Sequence, residues 1–246
     1  MERGRVVLIT GAAGCMGALF AKRFLAHGDR VIATDTTDEA LAKLADGSAD
    51  GAKLFTLAAD ISDEASCAKL AAFALAKAGH VDVLVNCAGF FPTQAFTEMS
   101  LADWNKVIGI NLTGVFLMVK AILPLMAGRG WGRIINIGSG STFDGVDTQV
   151  HYVAAKAGVL GLSRSLARVV GKDGITVNLV APGLTMTPAV AKAMPPEMVQ
   201  AQVKARAIQR DETGEDLVGT VVFLASPDAD FMSGQTLNID GGKHML

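Results

Sequence analysis

The chain has 246 residues, half of them apolar and 19% charged, with 22 basic against 24 acidic side chains and a formal charge of −2. A chain of this length buries roughly 70–75% of its unfolded surface in its own core, so disorder and a cysteine-stapled mini-protein are excluded. The charges are mixed along the chain, with no basic face for nucleic acid and no acidic tail.

The first apolar run, Val6–Thr10, is too short for a signal-peptide core and no cleavage site follows it. Cys15, Cys67 and Cys87 form an odd set without a Cys-x-x-Cys pair, and the four histidines never fall at metal-ligand spacing. Neither a disulfide framework nor a metal site is expected, and the expected setting is the cytoplasm. Strand-length runs rich in Val, Ile and Leu follow one another at Val6–Thr10, Val31–Thr34, Leu54–Leu57, Val83–Asn86, Ile134–Ile137, Thr176–Val180 and Thr236–Ile239. They lack polar alternation, as strands buried on both faces do. Helical patterns lie between them, at about 15–27, 38–46, 63–78, 101–127, 150–171 and 213–225. This alternation predicts an α/β fold: one doubly wound parallel sheet of about seven strands, helices on both faces, in a single domain over 1–246. Residues 108–128 are almost wholly apolar, but Asn111, Thr113, Lys120 and Pro124 would be costly in lipid and no second such stretch accompanies them. No membrane is expected. A helix of this kind is deep in the core or shared with a second subunit, and the latter is preferred.

Ligands of a doubly wound sheet bind beyond the carboxyl ends of its strands, so the residues there carry the functional reading. The first strand ends in Thr10-Gly11-Ala12-Ala13-Gly14-Cys15-Met16-Gly17, followed by a helix. Glycines there permit a tight turn and let backbone N–H groups approach a pyrophosphate at the positive helix end. Asp35 ends the second strand, 18 residues past Gly17, a position suited to a ribose hydroxyl, although capping the next helix is a competing role. Asp60-Ile61 follows the third strand, where the acid can accept from an adenine amino group or cap a helix. Asn86, Ala88 and Gly89 follow the fourth and suggest a small-residue floor for a flat ligand. Tyr152 is the chain's one tyrosine, and Lys156 follows four residues later on the same helical face. An ammonium beside a phenol favours the phenolate and draws its pKa down. Ser139 sits in the loop after the fifth strand.

On these residues the chain resembles a short-chain dehydrogenase/reductase of the compact type, from Val6 to about Gly242. Thr10–Gly17 resembles the family's Thr-Gly-x-x-x-Gly-x-Gly loop, with Cys15 on the middle glycine. Asn86-Cys87-Ala88-Gly89 resembles its Asn-Asn-Ala-Gly segment, with a cysteine for the second asparagine. Ser139 and Tyr152-x-x-x-Lys156 match its Ser and Tyr-x-x-x-Lys, and Asn111 falls at its fourth catalytic position. The resemblance implies a Rossmann-type fold, a catalytic set of Asn111, Ser139, Tyr152 and Lys156, and an NAD(P) cofactor. It implies that Tyr152 is the general acid/base, that Ser139 steadies the substrate oxygen and that Lys156 also binds the nicotinamide ribose. Asn111 would hold a water of a proton relay. It further implies that Pro182, Gly183, Leu184, Thr185 and Thr187 border the nicotinamide, that Gly11, Gly14, Cys15, Met16 and Gly17 hold the pyrophosphate, and that the chain forms a homotetramer.

Asp35, with no basic neighbour, selects NAD over NADP as the expected cofactor. The loops Phe90–Phe96, Gly140–Thr148 and Leu184–Met198 supply Phe90, Phe91, Phe143, Val146, Leu184, Met186, Val190, Met194 and Met198, with Lys192 the one fixed cation of the last loop. A largely apolar pocket suits a secondary alcohol or ketone of modest polarity. The leading expectation is an NAD-dependent secondary-alcohol dehydrogenase acting on a small molecule. The alternative is a reductase of 3-ketoacyl thioesters on acyl carrier protein or CoA. A non-catalytic NAD-sensing protein is a third reading, against which the complete catalytic set argues.

Overall fold

Seven strands form one sheet: β1 (Val6–Thr10), β2 (Arg30–Thr34), β3 (Leu54–Thr56), β4 (Val83–Asn86), β5 (Gly132–Ile137), β6 (Ile175–Pro182) and β7 (Thr236–Ile239). Their order is β3-β2-β1-β4-β5-β6-β7, and every neighbouring pair is parallel. The computed structural model describes residues 4–47 and 51–245. The helices are α1 (Cys15–Ala26), α2 (Asp38–Asp46), α3 (Glu64–Ala78), α4 (Leu101–Ile108), α5 (Gly114–Met126), α6 (Ser141–Asp144), α7 (Val150–Val170), α8 (Pro188–Ala193), α9 (Pro196–Lys204) and α10 (Glu215–Leu224).

Alternate residues of each strand enter different cores, as the period of two requires. Val7, Ile9, Val31, Ala33, Val83 and Val85 pack with Phe20, Phe24 and Leu41 of α1 and α2 and with Leu217, Val221 and Leu224 of α10. Val6, Leu8, Ile32, Leu84 and Ile134 pack on the opposite face with Leu70 of α3 and Met118, Ile122 and Met126 of α5. Each such side chain contributes about 1.5–3 kcal/mol when fully buried, so both layers hold the sheet. The sheet's N-terminal edge is tied by a buried ion pair: Arg5 Nη2 donates to Asp29 Oδ2 at 2.7 Å.

Three departures from the sequence pattern concern the site. The long 101–127 helix is interrupted: residues 109–113 wind as a wider π-turn between α4 and α5. Close packing surrounds this turn, since a Cβ on Gly114 would stand 2.9 Å from Ile61 and one on Gly158 of α7 2.7 Å from Leu112. The 184–198 segment, expected as a loop, holds α8 and the start of α9, each opened by a proline in its first turn. The four-residue α6 lies within the expected 140–148 loop. By length and composition Leu101–Met126 could cross a membrane. Here one face of α5 packs on the sheet, while Lys120 pairs with Glu64 of α3 at 2.8 Å and Phe116 stays half exposed.

Candidate active site

Strand order reverses between β1 and β4, and the crevice at their carboxyl ends collects the singled-out residues. Gly11 has φ +64°, and a Cβ there would stand 2.7 Å from Ala88 Cα; one on Gly17 would meet the Gly11 carbonyl at 2.2 Å. A side chain at Gly11 would pry the turn off the end of β4, and one at Gly17 would push α1 off the turn. Gly14 donates to the Gly11 carbonyl at 3.1 Å and stands before Cys15, the exposed first residue of α1, while Met16 packs half-buried on the core. No side chain caps α1 and no acid lies in its first turn, whereas Thr37, Asp63 and Ser100 cap α2, α3 and α4. Open N–H donors, a tight glycine cradle and a positive helix end are what a pyrophosphate requires. The residues present therefore fit a dinucleotide.

Asp35 faces that loop. Its Oδ2 accepts from Ala13 N–H at 3.0 Å and its Oδ1 from Thr36 N–H at 2.8 Å. Capping α2 belongs to Thr37, whose hydroxyl accepts from Ala40 N–H, so that alternative for Asp35 falls away. Asp60 is likewise not the α3 cap: its Oδ1 accepts from the backbone and hydroxyl of Ser62, and Asp63 caps the helix. Ile61 is buried under Gly114. The Asn86 side chain turns into the sheet rather than toward the crevice. It donates to Asn136 at 2.8 Å, Asn136 donates to Ser163 at 2.9 Å, and Asn86 Oδ1 is buried without a partner. Thr10 Oγ1 accepts from both Cys87 and Ala88 N–H at 3.1 Å, stitching β1 to β4.

Asn111 and Lys156 meet at Gly89, Tyr152 stands beside Lys156, and the Ser139 hydroxyl adjoins Tyr152. A Cβ on Gly89 would stand 3.2 Å from Asn111 Oδ1 and 3.9 Å from Lys156 Nζ. Asn111, fully buried in the π-turn, donates to the carbonyls of Phe90 (2.7 Å) and Val107 (3.0 Å) and accepts from Phe90 N–H (3.2 Å). Lys156 is buried and donates to the Ile137 carbonyl at 2.7 Å, with Nζ 5.7 Å from the Tyr152 ring centroid. Ser139 Oγ lies 2.8 Å from Ser141 Oγ and accepts from Ser141 N–H. Burial pushes the Tyr152 phenol up to about 12, with the adjacent Ser139 hydroxyl pulling the other way. Burial brings the Lys156 ammonium down to about 8. The sequence reading expected Lys156 to draw the phenol down. Here desolvation of both groups outweighs that, and the ammonium's hydrogen bond goes to Ile137.

Loop 182–187 closes the crevice on the β6 side. The Pro182 carbonyl accepts from Gly140 N–H at 2.7 Å, tying it to the Ser139 loop. Thr187 caps α8 through Val190 N–H. Two clusters here carry no mark in the sequence. Buried Glu212 and Arg206 bind residues 183–186 from beneath. At the far end, His244 Nδ1 lies 2.8 Å from Asp240 Oδ2, and both His244 Nε2 and Lys243 Nζ bond Asp144 of α6. Burial opposes ionisation of Asp144, but these two partners hold its carboxyl below the ordinary range. Phe91 stands edge-on to Tyr152, ring centroids 6.2 Å apart, and Phe143 packs on His244.

Residues 11–244 match a family model described as enoyl-(acyl carrier protein) reductase. The chain is 38% identical over 240 residues to nodulation protein G of Azospirillum brasilense, covering 97% of each chain. It is 36% identical over 246 residues to the 3-oxoacyl-[acyl-carrier-protein] reductase FabG of Escherichia coli, covering 99% of this chain and 98% of that one. Among solved structures, levodione reductase superposes with a TM-score of 0.93 at 31% identity, covering 99% of this chain and 98% of the other. With a parallel seven-stranded sheet and this likeness along nearly its whole length, the chain belongs to the short-chain dehydrogenase/reductase family of oxidoreductases acting on CH–OH groups, whose members bind NAD(P).

Proposed function

We propose that the protein is an NAD(H)-dependent oxidoreductase interconverting a secondary alcohol and a ketone, with Tyr152 as the general acid/base. The observation that carries this reading is the cluster in which Asn111 and Lys156 meet at Gly89, Tyr152 stands beside Lys156 and Ser139 adjoins Tyr152, next to a glycine cradle faced by an acid. A bound nicotinamide dinucleotide supplies or accepts the hydride. Tyr152 exchanges a proton with the substrate oxygen, and Ser139 donates a hydrogen bond to that oxygen as charge develops on it. Ser141 orients the Ser139 hydroxyl. Lys156, fixed by Ile137, holds positive charge near the phenol. Both amide protons of Asn111 are committed to carbonyls, so a relay water would be held by its remaining Oδ1 lone pair or by backbone carbonyls. Gly11, Gly14, Cys15, Met16 and Gly17 would hold the pyrophosphate, Asp35 the ribose, Asp60 and Ile61 the adenine. Ala88, Gly89 and residues 182–187 would border the nicotinamide. We place the protein in the cytoplasm, in keeping with its three free cysteines.

Tyr152→Phe tests the assignment: turnover should fall at least about a hundredfold while NADH binds with unchanged affinity. The sign of the pH dependence follows from the roles. Alcohol oxidation needs the phenolate, and with the phenol held near 12 the oxidation rate climbs from pH 7 to 10. Ketone reduction needs the protonated phenol and gains nothing over that range. Normal turnover in the phenylalanine variant would remove Tyr152 from the mechanism.

A second reading is favoured by the likeness to the 3-oxoacyl-[acyl-carrier-protein] reductase over nearly the whole chain: reduction of 3-ketoacyl thioesters. Comparing kcat/KM for acetoacetyl thioesters with that for a panel of simple ketones decides between them. A hundredfold preference for thioesters establishes the second.

A further inference from the structure

Loop 183–186 owes its shape to one buried carboxylate and one buried guanidinium, both far away in sequence. Glu212 Oε2 accepts from Gly183 N–H at 3.1 Å, and Oε1 accepts from the Thr185 hydroxyl at 2.6 Å. The Glu212 carbonyl accepts from Met186 N–H at 2.7 Å, so side chain and backbone grip the same turn. Arg206 Nη2 lies 3.6 Å from Glu212 Oε2 and donates to the Leu184 carbonyl at 2.9 Å. Three consecutive loop residues are thereby held by two side chains that are both at most 5% exposed, and a fourth, Met186, by the Glu212 backbone. The contact leaves no slack: a Cβ on Gly183 would stand 2.6 Å from Glu212 Oε2.

We propose that Glu212, backed by Arg206, is a positioning residue that presets loop 183–186 for the nicotinamide half of the cofactor; the proposal rests on the cofactor reading above. A carboxylate suits this task because it offers two acceptors in a fixed fork, one to a backbone N–H and one to a hydroxyl. Burial raises the Glu212 pKa, and the Thr185 hydroxyl, the Arg206 charge and the Gly183 N–H oppose that rise by favouring the carboxylate. Glu212 does not reach the reacting atoms. It acts by removing the loop's alternative conformations before the cofactor arrives, so that ordering is not charged to binding.

The consequence is a split between the two halves of the cofactor. ADP-ribose carries the adenosine, pyrophosphate and ribose groups that the β1–α1 turn and Asp35 would hold, but no nicotinamide. Calorimetry with ADP-ribose and with NADH on the full chain tests the idea. Glu212→Ala should weaken NADH binding at least tenfold and leave ADP-ribose within twofold. Glu212→Gln should restore NADH binding to within about threefold, since an amide can accept from Gly183 and donate to Thr185 Oγ1. Thr185→Val removes one of the two grips without unpairing Arg206, and should weaken NADH three- to tenfold. It decides the matter if the alanine variant does not fold. Equal loss of both ligands, or loss of neither, in the variants that fold overturns the positioning role while leaving the cofactor reading intact. A wild-type protein that binds neither ADP-ribose nor NADH overturns the cofactor reading, and the proposal with it.

Discussion

At the residue scale, the proposed preference for NAD rests on Asp35. Its carboxylate is fastened to the glycine turn through Ala13 N–H and to its own strand end through Thr36 N–H, and each oxygen keeps a further lone pair. A 2′-phosphate in the same place would bring a like charge within a few ångströms. Two unit charges about 4 Å apart repel by about 4 kcal/mol at an effective dielectric of 20. Screened by solvent to about 1.5–3 kcal/mol, that still gives at least a tenfold preference for NAD over NADP. The double change Asp35→Ser with Thr36→Arg should narrow or invert the ratio of kcat/KM values, measured with both cofactors at one pH and salt. Equal use of NADP by the unaltered protein would mean that the carboxylate does not face the ribose. The same scale explains why the phenol is not pre-activated. Tyr152 and Lys156 are both desolvated, and burial disfavours the charged form of each, raising the phenol to about 12 and lowering the ammonium to about 8.

At the scale of elements, short α6 needs help to keep its place, since four residues cannot sustain a helix by themselves. The chain's C-terminal stretch supplies it. Asp240 folds that stretch back by accepting from the N–H groups of Gly242, Lys243 and His244. The side chains of Lys243 and His244 then meet Asp144. Partly exposed pairs of this kind contribute up to about 1 kcal/mol each. Asp144→Ala should therefore raise KM for the carbonyl or alcohol substrate about three- to tenfold, with NADH affinity unchanged. Steady-state kinetics at low and high salt check it: the wild-type KM should drift toward the variant's as salt screens the pairs. A KM insensitive to both would show that α6 holds its position through Phe143 and the Ser139 loop. The π-turn between α4 and α5 shows the same dependence of an element on its neighbours. The apolar helical pattern reads straight through 101–127, yet one turn, packed against Ile61 and α7, is widened and sets Asn111 against Phe90.

For the molecule as a whole, the proposed assembly is a homotetramer. The inner face of α5 is covered by the chain's own sheet, but Phe116 remains 46% exposed and Val169 of α7 61% exposed, and Gly161 of α7 faces open space. Two helices from each subunit would close over that surface as a four-helix contact. Light scattering at micromolar concentration should give a mass near four chains; a monomer would mean these side chains simply face water. The residues themselves determined the parallel sheet, the crevice at its carboxyl ends and the candidate site, because strand and helix periods and strand-end motifs are local properties. Thr10–Gly17, Asn86–Gly89 and Tyr152-x-x-x-Lys156 each span only a few residues, so spacing sufficed. Tertiary structure alone decided that Thr37 and Asp63, not Asp35 and Asp60, cap their helices, and that burial raises the Tyr152 phenol. It alone brought Glu212 beneath Thr185, 27 residues away, and Lys243 to Asp144, 99 residues away. Desolvation and contacts between distant segments depend on where the whole chain closes, and no short pattern of residue types encodes that.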